Sequence, residues 1–226
     1  MPYPKVACYC MTRNIYHKVE PSLNSLLRNT PDIERVYLLT EDNDIGFEVP
    51  GKVRIKNVRK QTFFSPDGPN YYCRWTYMCM MKTALAKLFP QYDRMLTLDL
   101  DTIVLGNISE VWETPMGDNY LAGVLEPRNT ADGLTYINGG VVLWNLKQLR
   151  DGMVDKIIDS LNTEPWTFPE QNCVSHLCNG RIYHLHPMYN TSNYSAPCKS
   201  PKIRHFAATP GWYERDPLVQ MYKERV

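Results

Sequence analysis

The stretch Leu96-Thr-Leu-Asp-Leu-Asp-Thr-Ile-Val104 places two carboxylates inside an otherwise apolar, strand-like run. In an extended chain, residues two apart point to the same side and lie about 6.6 Å from each other. Two carboxylates on one side repel each other unless a cation lies between them, and oxygen ligands of this kind suit a hard divalent ion such as Mg²⁺ or Mn²⁺. The pattern predicts a metal site at Asp99 and Asp101. The alternative is a strand end that turns into solvent with two acids.

Strand and helix patterns alternate on both sides of this stretch. Short apolar or alternating runs predict strands, and apolar residues at helical spacing predict helices. The predicted strands are 6–11, 35–40, 53–58, 94–98, 120–125, 136–144 and 181–185, and the predicted helices are 18–29, 75–89, 146–161 and 167–178. A loop is expected at 62–72, and the last forty residues are expected to be mostly irregular.

This alternation is typical of βαβ units and predicts an α/β fold with a mixed, mainly parallel central sheet flanked by helices. No change in composition marks a linker within the 226 residues, so we expect a single domain whose halves are about 1–105 and 106–226. Ligands of such sheets bind outside the C-terminal ends of the strands. The residues that follow Met11, Leu98 and Leu125 are therefore candidates for the site.

Composition excludes several classes of protein. Lys and Arg total 25 and Asp and Glu total 24, so the chain lacks the basic surface of a nucleic-acid-binding protein. The seven cysteines contain no CxxC pair, which favours reduced, mostly buried thiols over a zinc site or a disulfide framework. No apolar run is long enough for a transmembrane segment, and the N-terminus has too short an apolar core for a signal peptide. These features together predict a cytoplasmic location.

Two glycines interrupt the strand pattern at Tyr136-Ile-Asn-Gly-Gly-Val-Val-Leu-Trp-Asn-Leu146. Glycine in a strand interior weakens the strand and often marks a close approach by a ligand or by another part of the backbone. The alternative is a hairpin turn at Asn138-Gly139. A similar choice arises at Thr167, where Glu170 three residues later fits a capping box, so Glu170 has either a structural or a functional role.

Two further side chains have chemistry that a site could use. His205, in Ile203-Arg-His-Phe, is either a metal ligand or a satisfied core histidine, and taken alone the pattern favours the core. Lys82 lies on the apolar stripe between Met78 and Leu85. Its ammonium group either extends to solvent or reaches a phosphate group.

The order of these motifs resembles glycosyltransferase family 8, the retaining GT-A enzymes that include glycogenin and bacterial lipopolysaccharide galactosyltransferases. The resemblance covers nearly the whole chain. The family's aromatic residue near the nucleotide base matches Tyr16, and its Arg or Lys one helix before the Asp-x-Asp matches Lys82. The remaining matches, in chain order, are Asp99 and Asp101, Ile137-Asn-Gly-Gly-Val141, Glu170-Gln171 and His205-Phe-Ala-Ala208.

The resemblance implies a GT-A fold and a transferase that moves a hexose from a nucleotide-sugar, expected to be a UDP-sugar, with retention of configuration. It implies that Asp99, Asp101 and His205 hold Mn²⁺ or Mg²⁺, and that Lys82 adds a second cation. It also implies that the first half binds the nucleotide and the second half the donor sugar and the acceptor.

The resemblance further implies which residues contact the donor. Tyr16 would stack on the base, and Asp99 would contact the donor through the metal. Asn138, Gly139, Glu170 and Gln171 would line the donor sugar, and the last two are the candidates for the catalytic role on its β-face.

The chain departs from the family pattern at four places. Arg13 and Asn14 stand where the family often has an acid, Glu170 replaces the Asp of Asp-Gln, and Ala208 replaces a Gly. The Lys that usually precedes Pro-Trp is missing from 209–212. Lys202, Arg204 and Lys82 are the candidates to replace that lysine.

The sequence leaves the acceptor open: a saccharide, a glycolipid or a protein. We expect its site between Glu126 and Tyr136 and in the C-terminal loops, including Tyr189, Tyr194 and Trp212. Two other functions remain: a catalytically silent nucleotide-sugar-binding protein on the same fold, and a sugar-phosphate nucleotidyltransferase. The latter normally needs a glycine-rich phosphate loop after the first strand, and the segment 11–15 contains no glycine.

Overall fold

The protein is described by a computed structural model that covers residues 2–127 and 134–223. Its centre is a sheet of seven strands, β1 (Val6–Cys10), β2 (Arg35–Thr40), β3 (Val53–Asn57), β4 (Arg94–Leu98), β6 (Leu121–Leu125), β7 (Ile137–Asn145) and β8 (Ile182–His184). Their order in the sheet is β3-β2-β1-β4-β7-β6-β8, and β5 belongs to a second sheet described below. Only β7 runs antiparallel to its neighbours in this sheet. The predicted mixed, mainly parallel sheet is therefore confirmed.

Helices cover both faces of this sheet. On one face, α1 (Val19–Asn29) buries Val19, Leu23 and Leu26 against alternate residues of the central strands. The opposite face carries α2 (Thr76–Met80), α3 (Leu85–Leu88), α4 (Leu146–Leu149), α5 (Met153–Thr163) and α6 (Pro169–Leu177). The two separate apolar clusters follow from the alternation of side chains along each strand.

A second, two-stranded sheet was not predicted. Its strands are β5 (Thr102–Val104) and β9 (Ile203–His205), which pair antiparallel. Two short helices follow β9, α7 (Trp212–Arg215) and α8 (Pro217–Lys223). The expectation that the last forty residues are mostly irregular is confirmed for the described part of that segment, although it contains β9 and these two short helices. Helix α8 packs on α1, where the Asn24 side chain donates a hydrogen bond of 2.9 Å to the carbonyl of Tyr222.

Two predicted helices are interrupted. The helix predicted over 75–89 consists of α2, a 3-10 turn at Met81–Ala84 and α3. The helix predicted over 146–161 is divided into α4 and α5 by Gly152, whose φ of 108° lies in the left-handed region that favours glycine. Apolar periodicity records which face is buried, and it carries no information about a local break of this kind.

Two further predictions about the chain can be compared with the structure. All seven cysteines lie within the described residues and carry free thiols, of which Cys8, Cys173 and Cys178 are buried. Within the described ranges, no helix has the length and apolar character needed to cross a membrane.

Candidate functional site

The Asp-x-Asp motif lies where β4 ends beside the glycine pair of β7. Leu98 is opposite Val141 in the sheet, and the amide of Asp99 donates a hydrogen bond of 2.7 Å to the carbonyl of Gly140. The chain then turns, because the hydroxyl of Thr102 donates to the carbonyl of Asp99 at 2.7 Å. The two acids thus occupy a turn between β4 and β5, and the extended geometry expected for them is wrong. The hairpin turn considered at Asn138-Gly139 is also wrong, since these residues lie inside β7.

Strand β9 brings His205 to the two acids. Thr102 is opposite His205 in the small sheet, and the amide of Phe206 donates to the carbonyl of Asp101 at 2.8 Å. The Nε2 atom of His205 lies 3.2 Å from Oδ1 of Asp101. Asp99, Asp101 and His205 each offer one ligand atom, and these atoms all lie within 4.8 Å of one another. Two carboxylates and one imidazole form a donor set suited to Mn²⁺ or Mg²⁺.

The charges of this cluster shift two pKa values. Burial disfavours the ionised carboxylate, but the charge and the hydrogen bond of His205 outweigh it and lower the pKa of Asp101. Burial also disfavours the charged form of His205 and by itself would lower the pKa of the imidazole. The charge of Asp101 outweighs burial, so this pKa is raised. The cluster is therefore electrostatically coupled, as expected where a positive charge is balanced by two acids.

A chain of buried amides orients the imidazole. Oδ1 of Asn190 lies 2.8 Å from Nδ1 of His205, and Nδ2 of Asn190 donates to Oδ1 of Asn138 at 2.8 Å. Asn138 in turn accepts from the amide of Gly140 at 2.9 Å and donates to Glu126 at 2.5 Å. Since the Asn190 oxygen is an acceptor, it assigns a proton to Nδ1 of His205, so Nε2, which faces the carboxylates, is the atom that would give up its proton to a cation. This is the orientation that a metal-binding histidine requires.

The two glycines of β7 are explained by close contacts. A Cβ atom on Gly140 would lie 2.1 Å from Cε1 of His205. A Cβ atom on Gly139 would lie 2.8 Å from Oε1 of Glu170 and 3.3 Å from Oε1 of Gln171. The glycines do mark a close approach, but by side chains and not by the ligand or backbone that the sequence predicted.

Lys82 is buried, and its ammonium group lies between two carboxylates of the site. Its Nζ atom lies 2.6 Å from Oδ1 of Asp99, 3.0 Å from the carbonyl of Gly139 and 3.3 Å from Oε1 of Glu170. Burial alone would lower the pKa of Lys82, but the charges of Asp99 and Glu170 outweigh it, and the pKa is raised. The residue is only 4% exposed, so the alternative in which Lys82 extends to solvent is wrong.

Helix α6 begins at Pro169 and places the next two side chains in the site. The N-cap residue of α6 is Phe168, whose side chain makes no capping hydrogen bond. The amide of Phe168 donates to Oδ1 of Asn172 at 2.6 Å. The capping-box alternative for Glu170 is therefore wrong. Glu170 instead forms an ion pair with Lys82. Oε1 of Gln171 accepts a hydrogen bond of 2.8 Å from the amide of Gly139.

Tyr16 lies against the acidic loop that follows β2. Its hydroxyl accepts from the amide of Glu41 at 2.9 Å and donates to Asp42 at 3.2 Å, and Arg13 forms a two-pronged contact with the same carboxylate at 2.8 and 2.6 Å. The tyrosine is 5% exposed. Beside it lies a cleft of about 440 Å³ lined by Glu41, Asp42, Asn43, Asn57, Arg59 and Lys60.

The predicted acceptor residues do not share one location. Tyr194 and Arg204 line a cavity of about 640 Å³, whereas the Tyr189 hydroxyl donates to Glu110 at 2.7 Å and Trp212 stacks on Phe206 at 6.0 Å between ring centroids. Of the predicted acceptor range 126–136, residues 128–133 lie outside the described residues.

The side chains considered as replacements for the missing lysine have other contacts. Lys202 forms an ion pair with Glu110, and the guanidinium of Arg204 lies 5.5 Å from the ring centroid of Phe206. Among the three candidates, Lys82 has the most direct contact with the Asp-x-Asp motif.

Several residues of the site were missed by sequence reasoning. Asn190 orients His205, yet nothing in its local sequence distinguishes it from a surface asparagine. Trp75 and Phe168 are 43% and 44% exposed, with ring centroids 5.7 Å apart, and Phe168 lies two residues before Glu170. Their exposure could not be foreseen, because aromatic residues in helical patterns are usually buried.

Comparison with known proteins agrees with this geometry. A protein of Haemophilus influenzae named "Putative glycosyltransferase" is 23% identical over 194 residues, which make up 75% of this chain and 58% of that protein. General stress protein A of Bacillus subtilis is 25% identical over 114 residues, 45% of this chain and 40% of that protein. The chain thus spans 58% and 40% of the length of these relatives.

Among solved structures, the galactosyltransferase LgtC in complex with donor and acceptor sugar analogues superposes with a TM-score of 0.77 at 17% identity, covering 98% of this chain and 97% of the other. This likeness confirms the predicted GT-A fold. The family model for glycosyl transferase family 8 matches residues 4–208. With the fold and the order of the site motifs in agreement, the chain belongs to glycosyl transferase family 8.

Proposed function

We propose that this chain is a metal-dependent glycosyltransferase that moves a hexose from a nucleotide-sugar, specifically a UDP-sugar, to an acceptor with retention of configuration. The observation that carries the proposal is the convergence of Asp99, Asp101 and His205 on one point beside the glycine pair of β7. Membership of the family supports the reaction class. The donor, the ion and the stereochemistry are inferences from the site and from the resemblance.

The residues present fit a divalent cation. Asn190 binds His205 through Nδ1, which directs Nε2 toward the two carboxylates, and these would supply the oxygen ligands. We propose Mn²⁺ or Mg²⁺ as the ion. When bound, such an ion stabilises the negative charge of a diphosphate leaving group.

Lys82 has a different part in the mechanism from the one expected from its sequence position. An ammonium group has three donors, and in this structure they meet Asp99, the carbonyl of Gly139 and Glu170. We therefore assign Lys82 to holding these two carboxylates in place and neutralising part of their charge. A direct contact with a phosphate would require one of these three bonds to be exchanged.

The donor sugar is assigned to the space between β7 and α6. Gln171 is fixed by the amide of Gly139 through its oxygen, and its side chain also hydrogen-bonds Tyr136, so one N–H of its NH₂ group remains as a donor for a sugar hydroxyl. The Glu170 carboxylate forms an ion pair with Lys82 and can stabilise positive charge that develops at the anomeric carbon. We propose these two residues as the catalytic pair, with Asn138 and Gly139 forming the wall of the pocket.

The nucleotide base is assigned to the C-terminal ends of β1 and β2, next to Tyr16. The hydroxyl of this tyrosine fixes the backbone at 41–42. Stacking on a base requires an accessible ring face, so base binding by Tyr16 would involve a movement of the adjacent loop. Exposed Trp75 and Phe168 lie against each other, and Phe168 is two residues before Glu170, so we propose this pair as the surface over which a saccharide acceptor approaches.

The decisive experiment is hydrolysis of a panel of UDP-sugars by the full chain, with and without Mn²⁺, combined with calorimetric measurement of UDP binding. We expect turnover of at least one UDP-sugar only when Mn²⁺ is present, and its loss in Asp101→Asn. Asp159→Asn, on the exposed face of α5, is the matched control and should keep full activity.

The other outcomes separate the alternative functions. UDP binding without turnover of any donor would identify a silent binding protein. Absence of both UDP binding and hydrolysis would contradict the transferase proposal. Formation of a nucleotide-sugar from a nucleoside triphosphate and a sugar phosphate would identify a nucleotidyltransferase.

A further inference from the structure

Two cysteines lie side by side next to the site and have no place in the proposed reaction. The Sγ atoms of Cys73 and Cys79 are 3.8 Å apart. Cys73 belongs to the segment that precedes α2, and Cys79 belongs to α2 itself, three residues before Lys82. Both cysteines are half-buried residues, and the thiol of Cys79 is more deeply buried than that of Cys73.

The turn that precedes α2 brings the two thiols together. Residues six apart in a regular helix would not face each other. Here Thr76 has a φ of 57°, an unfavourable value for a β-branched residue, and the Cys73 thiol lies 3.5 Å from the carbonyl of Thr76. The sulfurs thus meet where the backbone between the cysteines adopts an unfavourable conformation.

The two thiols differ in acidity. A hydrogen bond from Cys79 stabilises the thiolate of Cys73 and, against the opposing effect of burial, lowers its pKa to about 7. The same hydrogen bond, burial and the charge of Glu170 raise the pKa of Cys79. Cys73 is thus the thiolate and Cys79 the protonated partner, which is the usual division between an attacking thiol and a resolving thiol.

We propose that Cys73 and Cys79 form a thiol–disulfide exchange site whose reaction partner is a low-molecular-weight disulfide. The thiolate of Cys73 attacks one sulfur of that disulfide, forms a mixed disulfide and releases one thiolate. Cys79 loses its proton and attacks Sγ of Cys73, which forms the intramolecular disulfide and releases the second thiolate. Overall, the protein dithiol loses two electrons and two protons, and the small disulfide is reduced to two thiols.

The local structure allows this bond to form. The sulfurs must approach each other by about 1.8 Å to reach the length of a disulfide bond. Tyr72, Arg74 and Trp75 around Cys73 are exposed, so the segment before α2 can shift without disturbing the core. The bond would form one helical turn from Lys82, which connects it to the wall of the site.

The sequence offers a clean assay for this bond. Arg74 lies between the cysteines, so trypsin separates them into the peptides 61–74 and 75–82. The full chain is incubated with oxidised glutathione, the remaining thiols are blocked with iodoacetamide, and the tryptic digest is analysed by mass spectrometry. We expect the two peptides to appear as one disulfide-linked species that dithiothreitol separates.

Single variants test the order of the two steps. Cys79→Ser should accumulate a mixed disulfide with glutathione on Cys73, whereas Cys73→Ser should leave Cys79 largely unmodified. Cys198→Ser, in the distant 192–198 loop, is the matched control and should form the linked peptides as the wild type does. Because the readout is a covalent mass, it does not depend on whether the chain transfers a sugar.

Two results would overturn the proposal. One is a wild-type digest in which Cys73 remains as the mixed disulfide, or is recovered unmodified, without any linked species. The other is accumulation of the mixed disulfide on Cys79 in the Cys73→Ser variant at the rate seen on Cys73 in Cys79→Ser, because the two thiols would then be equivalent.

Discussion

A Cβ atom on Gly140 would lie 2.1 Å from Cε1 and 2.6 Å from Nδ1 of His205, so the imidazole occupies the space that any other residue at position 140 would need. The ring cannot easily move aside, because it is 4% exposed and Asn190 binds it through Nδ1. The position of a proposed metal ligand in β9 therefore depends on the absence of a side chain in β7.

The first prediction is that Gly140→Ala will displace His205 and weaken binding of Mn²⁺ by roughly tenfold or more, the effect typical of disturbing the support of a metal ligand. Overpacking should also lower the free energy of unfolding by about 1–3 kcal/mol. Calorimetric titration with Mn²⁺ in the presence of UDP, together with urea unfolding, measures both effects.

The control for this variant is Gly51→Ala, where an added Cβ has no heavy atom within 4 Å. It should bind Mn²⁺ as the wild type does. Unchanged Mn²⁺ affinity in folded Gly140→Ala would mean that His205 is not a ligand.

The second prediction concerns the ion pairs of Lys82. Lys82→Met leaves Asp99 and Glu170 without their cation, and we expect the free energy of unfolding to fall by about 3 kcal/mol, the lower end of the range for a broken buried ion pair. The lower end applies because the Asp99 side chain is 37% exposed and water can screen it. Urea unfolding at pH 7 measures the change.

Lys87→Met is the comparison. Its partner is Asp155, and their side chains are 38% and 65% exposed, so the loss should be at most about 1 kcal/mol. Equal decreases in the free energy of unfolding of Lys82→Met and Lys87→Met would show that burial of Lys82 adds nothing to the strength of its ion pairs.

Much of the sheet could be predicted because its signals are local. Strand β4 has the predicted bounds, and the glycine pair of β7 correctly indicated a close approach. The contact partners could not be predicted in the same way. His205 meets Asp101 only through the register of two three-residue strands about a hundred positions apart, and nothing in either segment specifies that register.

The errors have a common physical origin. Apolar periodicity predicted one continuous helix over 75–89, but tertiary packing imposes the positive φ of Thr76 and the 3-10 turn after α2. The same packing directs Lys82 inward, where Asp99 and Glu170 stabilise its charge. Whether a lysine on an apolar stripe reaches solvent depends on such partners, which come from distant parts of the chain.

The third prediction is the pH dependence of alkylation at Cys73. With a pKa of about 7, roughly half of this thiol is ionised at pH 7, against about 3% of an unperturbed cysteine. The rate of reaction with iodoacetamide, followed by mass spectrometry of peptide 61–74, should rise with pH to a plateau and reach its midpoint near 7. Since the folded pKa lies below the unfolded one, the stability contributed by the thiolate is lost as the pH falls through that midpoint.

Removal of the hydrogen-bond donor tests the cause of this shift. Cys79→Ala should move the midpoint upward and slow alkylation at pH 7, whereas Cys79→Ser keeps an O–H donor and should remain close to the wild type. The same midpoint in wild type and Cys79→Ala would contradict the assignment of the low pKa to the thiol pair.

The fourth prediction is that Asn190 controls metal affinity without being a ligand. Asn190→Ala removes the acceptor for Nδ1–H of His205 and the donor to Asn138. We expect Mn²⁺ affinity to fall about 10–100-fold, as is typical when the support of a metal-binding histidine is lost. Asn190→Asp restores an acceptor for Nδ1–H and should recover part of the affinity, whereas Asn193→Ala, at an exposed neighbour, should have no effect.

The two substitutions at Asn190 separate orientation from folding. If Asn190 served only to fill buried space, Asn190→Ala and Asn190→Asp would change stability but would bind Mn²⁺ equally well once folded. A fall in the Mn²⁺ affinity of Asn190→Ala, measured by calorimetry on protein whose folding has been verified by circular dichroism, therefore reports on the hydrogen bond to Nδ1 and not on a loss of the fold. That bond would make His205, whose local sequence pattern taken alone favours a core residue, available as a ligand to the cation proposed at Asp99 and Asp101.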